Sequence, residues 1–152
     1  MPVPRELFIS HSSSDKKFVS RLTKVLRRHR IRFWYSRSHL IGAQQWHDEI
    51  GKALSRCDWF LLILSPAAVR STWVKRELLY ALQDRHYDDR IIPILVRACT
   101  YGKMSWTLDS IERIDFANDF ERGCRELFRI WNREYKPEAP KTRRKRYGKP
   151  VS

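Results

Sequence analysis

Within the stretch STWVKRELLYAL, Ser71 to Leu82, an indole and a carboxylate stand four residues apart, at Trp73 and Glu77. On a helix that spacing is one turn, so the two side chains meet on one face, expected here to be the exposed one near the helix start. A surface glutamate beside a half-buried tryptophan is one reading of the pair. Its chemical reading is more specific. A lone carboxylate can hold sugar hydroxyls and stabilise a developing oxocarbenium ion, and an indole face attracts a flat cationic ring with roughly 0.5–2 kcal/mol. With one carboxylate, paired acid–base glycoside chemistry lacks a member, so the leaving group must depart without an acid.

The nicotinamide of NAD+ is such a leaving group, because it is already a cation and departs neutral. Other chemistries lack their residues. No G-x-G-x-x-G follows the first strand and no G-x-x-x-x-G-K-[ST] occurs, so neither phosphate-cradling loop is present. G-x-S-x-G is also missing.

The elements that must position the pair alternate between strand and helix patterns. ELFISH (Glu6 to His11) is a short β-rich run, and the SSSDKK behind it supplies side-chain oxygens that cap a helix. Phe18, Val19, Leu22, Val25 and Leu26 then keep a period near 3.6, which predicts an amphipathic helix from Ser14 to about His29. IRFWYS (Ile31 to Ser36) reads as a second strand, and a helix from about Gln44 to Arg56 buries Trp46, Ile50, Ala53 and Leu54. DWFLLILS (Asp58 to Ser65) is apolar on both faces, the mark of a central parallel strand. The Trp73 helix follows Pro66 and buries Val74, Leu78, Ala81 and Leu82. RIIPILV (Arg90 to Val96) is a fourth strand despite its proline, SIERIDFAN a fifth, and Phe120 to Tyr135 a closing helix.

This alternation predicts an α/β, three-layer, doubly wound fold with a five-stranded parallel sheet in the order 2-1-3-4-5. Ligands of such folds bind beyond the carboxyl ends of strands 1 and 3, where the winding reverses. Those ends are Ser10 to Ser14 and Ser65 to Glu77, so the aromatic and the acid fall at the rim of that crevice. A phosphoacceptor site of the response-regulator kind would need clustered carboxylates there. The strand ends read Ser-His-Ser and Ser-Pro instead.

The chain has 152 residues, enough for one domain with a substantial core, and a net charge of +14. From Lys136 onward seven basic residues face Glu138 alone, a net of +6, which leaves +8 for the rest. Residues 1–135 are expected to be the folded domain and 136–152 a basic, disordered tail that binds polyanions such as nucleic acid only weakly. Cys57, Cys99 and Cys124 form no C-x-x-C pair, so reduced thiols are expected, with neither disulfides nor a metal site. No apolar run spans a membrane and the N-terminus lacks a signal profile, which places the chain in the cytoplasm.

From Glu6 to Tyr135 the chain resembles the TIR (Toll/interleukin-1 receptor) domain family, specifically its bacterial stand-alone NAD-cleaving type. LFISHSSSD is similar to the family's first-strand box, and LIGAQQWHDEIGKALSRCDWFLLILSP to its BB loop, second helix and central strand. S-x-W-x-x-x-E-L at Ser71 to Leu78 resembles the helix that carries the family's catalytic glutamate, and IERIDF its last strand.

The resemblance implies a flavodoxin-like fold and one of two functions. Either the chain splits NAD+ into nicotinamide and ADP-ribose or a cyclic isomer, with NAD+ as substrate and no cofactor, or it is a non-catalytic adaptor that assembles with like domains. Enzymatic members in bacteria commonly serve antiphage defence through a downstream effector. Glu77 carries over as the catalytic glutamate and Trp73 as the nicotinamide-side aromatic. Ser10, His11, Tyr35, Ser36, Arg37 and Ser65 are expected to line the substrate cleft, and Leu40, Ile41 and Gly42 to form the self-association loop. Many relatives carry an acid directly after the second strand. Here Arg37 and His39 stand in that segment and would make the wall positive, which suits a pyrophosphate.

Overall fold

The computed structural model describes residues 2–35 and 43–140, residues 43–46 as backbone alone. Its elements run β1 (Leu7–Ser10), a 3-10 turn (Ser13–Asp15), α1 (Lys16–Arg28), β2 (Phe33–Tyr35), α2 (Ala43–Arg56), β3 (Trp59–Leu64), α3 (Pro66–Arg70), α4 (Thr72–Gln83), β4 (Ile91–Leu95), β5 (Ile114–Asp115) and α5 (Phe120–Ile130). The strands form one parallel sheet in the order β2-β1-β3-β4-β5, as the sequence pattern predicts.

Side chains of successive strand residues point to opposite faces, and this alternation splits the core into two layers. Leu7 and Ile9 of β1 and Trp59, Leu61 and Ile63 of β3 join Val19, Leu22 and Leu26 of α1 and Leu127 and Phe128 of α5. Phe8, Phe60, Leu62 and Leu64 pack on the other face against Ile50, Ala53 and Leu54 of α2, Ala68 of α3 and Val74, Leu78 and Ala81 of α4. All six residues of β3 are buried, in keeping with a strand covered on both sides. Helix α5 lies close against the end of β5, since a Cβ on Gly123 would stand 2.6 Å from the Phe116 ring.

Two elements toward the end of the chain depart from the sequence reading. The fifth strand shrinks to Ile114–Asp115, and the Ser110 expected to begin it closes a 3-10 turn, Trp106–Ser110. Pro93 accounts for part of this. The Val96 N–H donates to Leu64 of β3, so by alternation the position of Pro93 faces β5, where it has no hydrogen to give. β5 pairs only with Ile94 and Leu95, beyond the proline. The closing helix ends at Ile130 rather than Tyr135, with Asn132 in the left-handed region at φ 52°.

The chain after α5 remains anchored up to Lys136. Tyr135 is buried, the Lys136 N–H donates to His29 Nε2 at 3.0 Å, and Arg28 donates to the Lys136 carbonyl at 2.7 Å. His29 Nδ1 faces the Val25 carbonyl at 2.8 Å, so the ring carries its proton there and accepts on the other nitrogen. Residues 141–152, most of the expected tail, lie outside the described residues. Deleting 137–152 is expected to leave the melting temperature within about 2 °C of the parent. A chain ending before Tyr135 should lose on the order of 3 kcal/mol, because it removes a buried aromatic ring. Paired thermal melts of the two truncations check both statements.

Candidate active site

Helix α4 starts where it does for local reasons. Pro66 opens α3 at a position that needs no N–H, Ser65 caps that helix by accepting from the Ala68 N–H, and α3 stops at Ser71. The Ser71 hydroxyl then accepts from the Val74 N–H at 3.3 Å and caps α4. The sequence reading missed α3 as a separate helix, although Ser65-Pro66 is a helix-start signal. This double start sets the rotation of α4 over the sheet.

That rotation corrects the expectation for Glu77. The residue is not on an exposed face near the helix start but is 6% exposed, in the same buried stripe as Val74, Leu78 and Ala81. The reason lies beneath it. β1 ends in a serine, and Ser10, itself buried, donates its hydroxyl hydrogen to Glu77 Oε1 at 2.9 Å. A small polar residue at the strand end leaves a place for the carboxyl that an apolar side chain would fill.

Burial raises the Glu77 pKa from 4.5 to about 8, and the Ser10 hydrogen bond only partly opposes this. At neutral pH the free protein therefore holds this carboxyl mostly protonated. Among the described residues no cationic side chain contributes to the shift.

Trp73 is half-buried one turn before Glu77, with its ring centroid 4.9 Å from that of His47 on α2. The Arg76 guanidinium lies 5.3 Å from the indole centroid, so this ring face already attracts a cation. His11 and Tyr35 stand at the ends of β1 and β2, their rings edge to face at 5.5 Å, and Tyr35 packs with the α1 and α5 layer on the face of the sheet away from Glu77. Burial lowers the His11 pKa, with an opposing contribution from the Ile9 backbone and a smaller one from Asp15. Ser65 sits past the end of β3, and its hydroxyl donates to Asp15 Oδ2 at 2.5 Å.

The sheet thus brings the six residues to its carboxyl edge but on two faces, Ser10, Trp73 and Glu77 toward α2 and α4, and Tyr35, with His11 against it, and Ser65 toward α1. Ser36, Arg37, Leu40, Ile41 and Gly42 lie outside the described residues. Two neighbours escaped the sequence reading. His47 gave no signal, because only the fold turns α2 toward Trp73. Asp15 had been read among the helix-capping oxygens, yet Ser12 supplies the cap of the 3-10 turn and Asp15 makes no capping bond.

A model of the TIR domain matches residues 7–128, most of the chain. The chain belongs to the TIR-domain family. In its fold this TIR domain is similar to that of the Toll-related receptor TRR-2 from Hydra magnipapillata, with a TM-score of 0.68 at 21% identity, over 83% of this chain and 97% of that one. In sequence it is 32% identical over 74 residues to the 2′ cyclic ADP-D-ribose synthase BtTIR of Bacteroides thetaiotaomicron, a stretch of 48% of this chain and 26% of that protein. It is 23% identical over 111 residues to the probable 2′ cyclic ADP-D-ribose synthase TcpO of Methanobrevibacter olleyae, covering 72% of this chain and 30% of the relative. The TIR domain therefore matches less than a third of either relative's length. Among the described residues no helix is long and apolar enough to cross a membrane.

The raised pKa makes a stability prediction. Between 4.5 and about 8 the folded protein binds the Glu77 proton more tightly than the unfolded chain does. The corresponding stability is complete below 4.5 and is lost as the pH rises through about 8. Glu77→Gln keeps an acceptor for Ser10 and carries no titrating group. Its melting temperature relative to the parent should climb steadily from pH 5 to pH 8.5, and melts across that range measure the climb. A constant difference would place Glu77 among ordinary surface acids.

Proposed function

We propose that this TIR domain is an NAD+ nucleosidase that breaks the bond between nicotinamide and ribose. The observation that carries the reading is the buried Glu77 carboxyl, held by Ser10 at the carboxyl edge of a TIR-family sheet. The names of the two relatives, both cyclic ADP-ribose synthases, support it.

The chemistry follows from charge. The nicotinamide ring of NAD+ is a cation, and its arrival beside a carboxyl that resists ionisation favours loss of the Glu77 proton. Trp73 offers the ring a face for stacking. The C–N bond then breaks with both electrons leaving on nitrogen, nicotinamide departs neutral, and the positive charge passes to the ribose. The Glu77 carboxylate, desolvated and fixed by Ser10, stabilises that charge where it develops. Water or a hydroxyl of the same molecule then closes the reaction and loses its proton, giving ADP-ribose or a cyclic isomer. Ser36 and Arg37 join the substrate wall in this reading, with Arg37 facing the pyrophosphate.

Glu77→Gln is expected to lower kcat by 10²–10³-fold, the cost of losing one preorganised electrostatic group. In the parent, kcat/KM should rise with pH through about 8 as the free enzyme's carboxyl ionises. Chromatographic separation of the products from concentrated protein and NAD+ tests both. A mutant that keeps more than about a tenth of the parent rate would remove Glu77 from the mechanism and favour the adaptor reading.

We further place activity under the control of self-association through the loop containing Leu40, Ile41 and Gly42, since an enzyme always active would drain cellular NAD+. In this reading the protein acts in the cytoplasm in defence signalling, an effector senses the product, and the basic tail has only weak affinity for nucleic acid. Specific activity should rise steeply with protein concentration, and a bulky residue at Gly42 should flatten the rise. Constant activity per molecule over a hundredfold dilution would contradict assembly control.

A further inference from the structure

Two serine–carboxylate bonds cross at the reversal point of the sheet. Ser10 ends β1 and binds Glu77 of α4, the helix pair that follows β3 being α3 and α4. Ser65 follows β3 and binds Asp15, at the head of α1, the helix that follows β1. The bonds lie on opposite faces. Ser10 shares the side of Phe8, which packs with α2 and α4. Ser65 continues β3 in extended geometry, at φ −155° and ψ 167°, one residue past Leu64 of that same layer, and so points to the α1 side.

Asp15 has few side-chain partners in this place. It is 8% exposed, and among the described residues its side chain accepts the single bond from Ser65, with no ion pair. It stands at the N-terminus of α1, the end of a helix dipole that favours an acid, with its side chain turned to Ser65.

Its effect runs through one hydrogen. The Ser65 hydroxyl has a single hydrogen, and giving it to Asp15 turns the oxygen's lone pairs toward the Ala68 N–H at 3.1 Å, which caps α3. α3 ends at Ser71, and the same Ser71 caps α4 through Val74. Glu77 follows six residues after Ser71.

We propose that Asp15 is a positioning residue for Glu77, acting through Ser65 and the α3 cap to fix where α4 begins. The proposal rests on the reading of Glu77 as the group that stabilises the ribosyl cation. Asp15 acts from the opposite face of the sheet and touches the reacting atoms only through this relay.

The test compares Asp15→Ala, Asp15→Asn, Ser65→Ala and the double alanine variant. Because Glu77 acts on the transition state, its displacement should lower kcat per folded molecule about 10- to 100-fold in Asp15→Ala while KM stays within about threefold. Asp15→Asn retains an acceptor oxygen for Ser65 and should restore most of the rate. Ser65→Ala should match Asp15→Ala, and the double variant should be no worse than either, since both cut one relay. Should Asp15→Ala not fold, Ser65→Ala and Asp15→Asn carry the comparison.

A second readout does not need turnover. Carbon-13 NMR of the Glu77 carboxyl follows its titration in each folded variant. The midpoint should fall toward the ordinary glutamate value in the alanine variants, as a loosened α4 admits water, and should return in Asp15→Asn. If the parent cleaves no NAD+, the nucleosidase reading fails and the NMR midpoints alone decide the positioning role. Folded Asp15→Ala or Ser65→Ala protein with a parental Glu77 titration, or with parental kcat in an active parent, overturns the proposal.

Discussion

The hydrogen bond from Ser10 to Glu77 is the constraint on which the rest of the candidate site depends. A carboxyl beneath a helix and above a strand end is costly to bury, and an unpaired one would leave the core or shift the helix. Here the strand ends in a residue small enough to admit the carboxyl and polar enough to hold it. The α4 register, the double cap at Ser65 and Ser71, and the apolar anchors Val74, Leu78 and Ala81 all keep the acid over that serine. Trp73 takes its place at the mouth as a consequence, one helical turn away.

Charge gives this geometry its chemical meaning. The chain carries +14 overall, yet among the described residues the pKa of Glu77 is set by burial and by one neutral hydroxyl, with no cation contributing. The site is thus a desolvated acid waiting for positive charge. A cationic ring supplies that charge on binding, and the ribosyl cation keeps it in place through bond cleavage.

Much of this was legible in the chain. The apolar run of β3, the 3.6-residue period of α1 and the serine–proline punctuation after β3 establish the doubly wound order, and the order places Trp73 and Glu77 at the crevice. Periodicity misleads at Glu77 itself, because a charged residue within an apolar stripe reads as the edge of that stripe. Only the identity of the residue beneath it, Ser10, 67 positions away, reverses that reading. Asp15 was hidden for a related reason. Serines and an aspartate before a helix are read as caps, and which of them caps depends on a partner 50 residues distant. The shortness of β5 depends likewise on which neighbour Pro93 faces, a property of sheet order and register rather than of local sequence.

The most direct measurement of the central claim is proton release on ligand binding. An NAD+ analogue with methylene in place of the ribose ring oxygen keeps the cationic nicotinamide but cannot form the oxocarbenium ion. Titrating it into the protein by calorimetry in buffers of different ionisation enthalpy counts the protons exchanged. Near pH 7 the account predicts release of about one proton from the parent, vanishing above about pH 9 and absent in Glu77→Gln. Binding without proton release from the parent, or with equal release from Glu77→Gln, would contradict it.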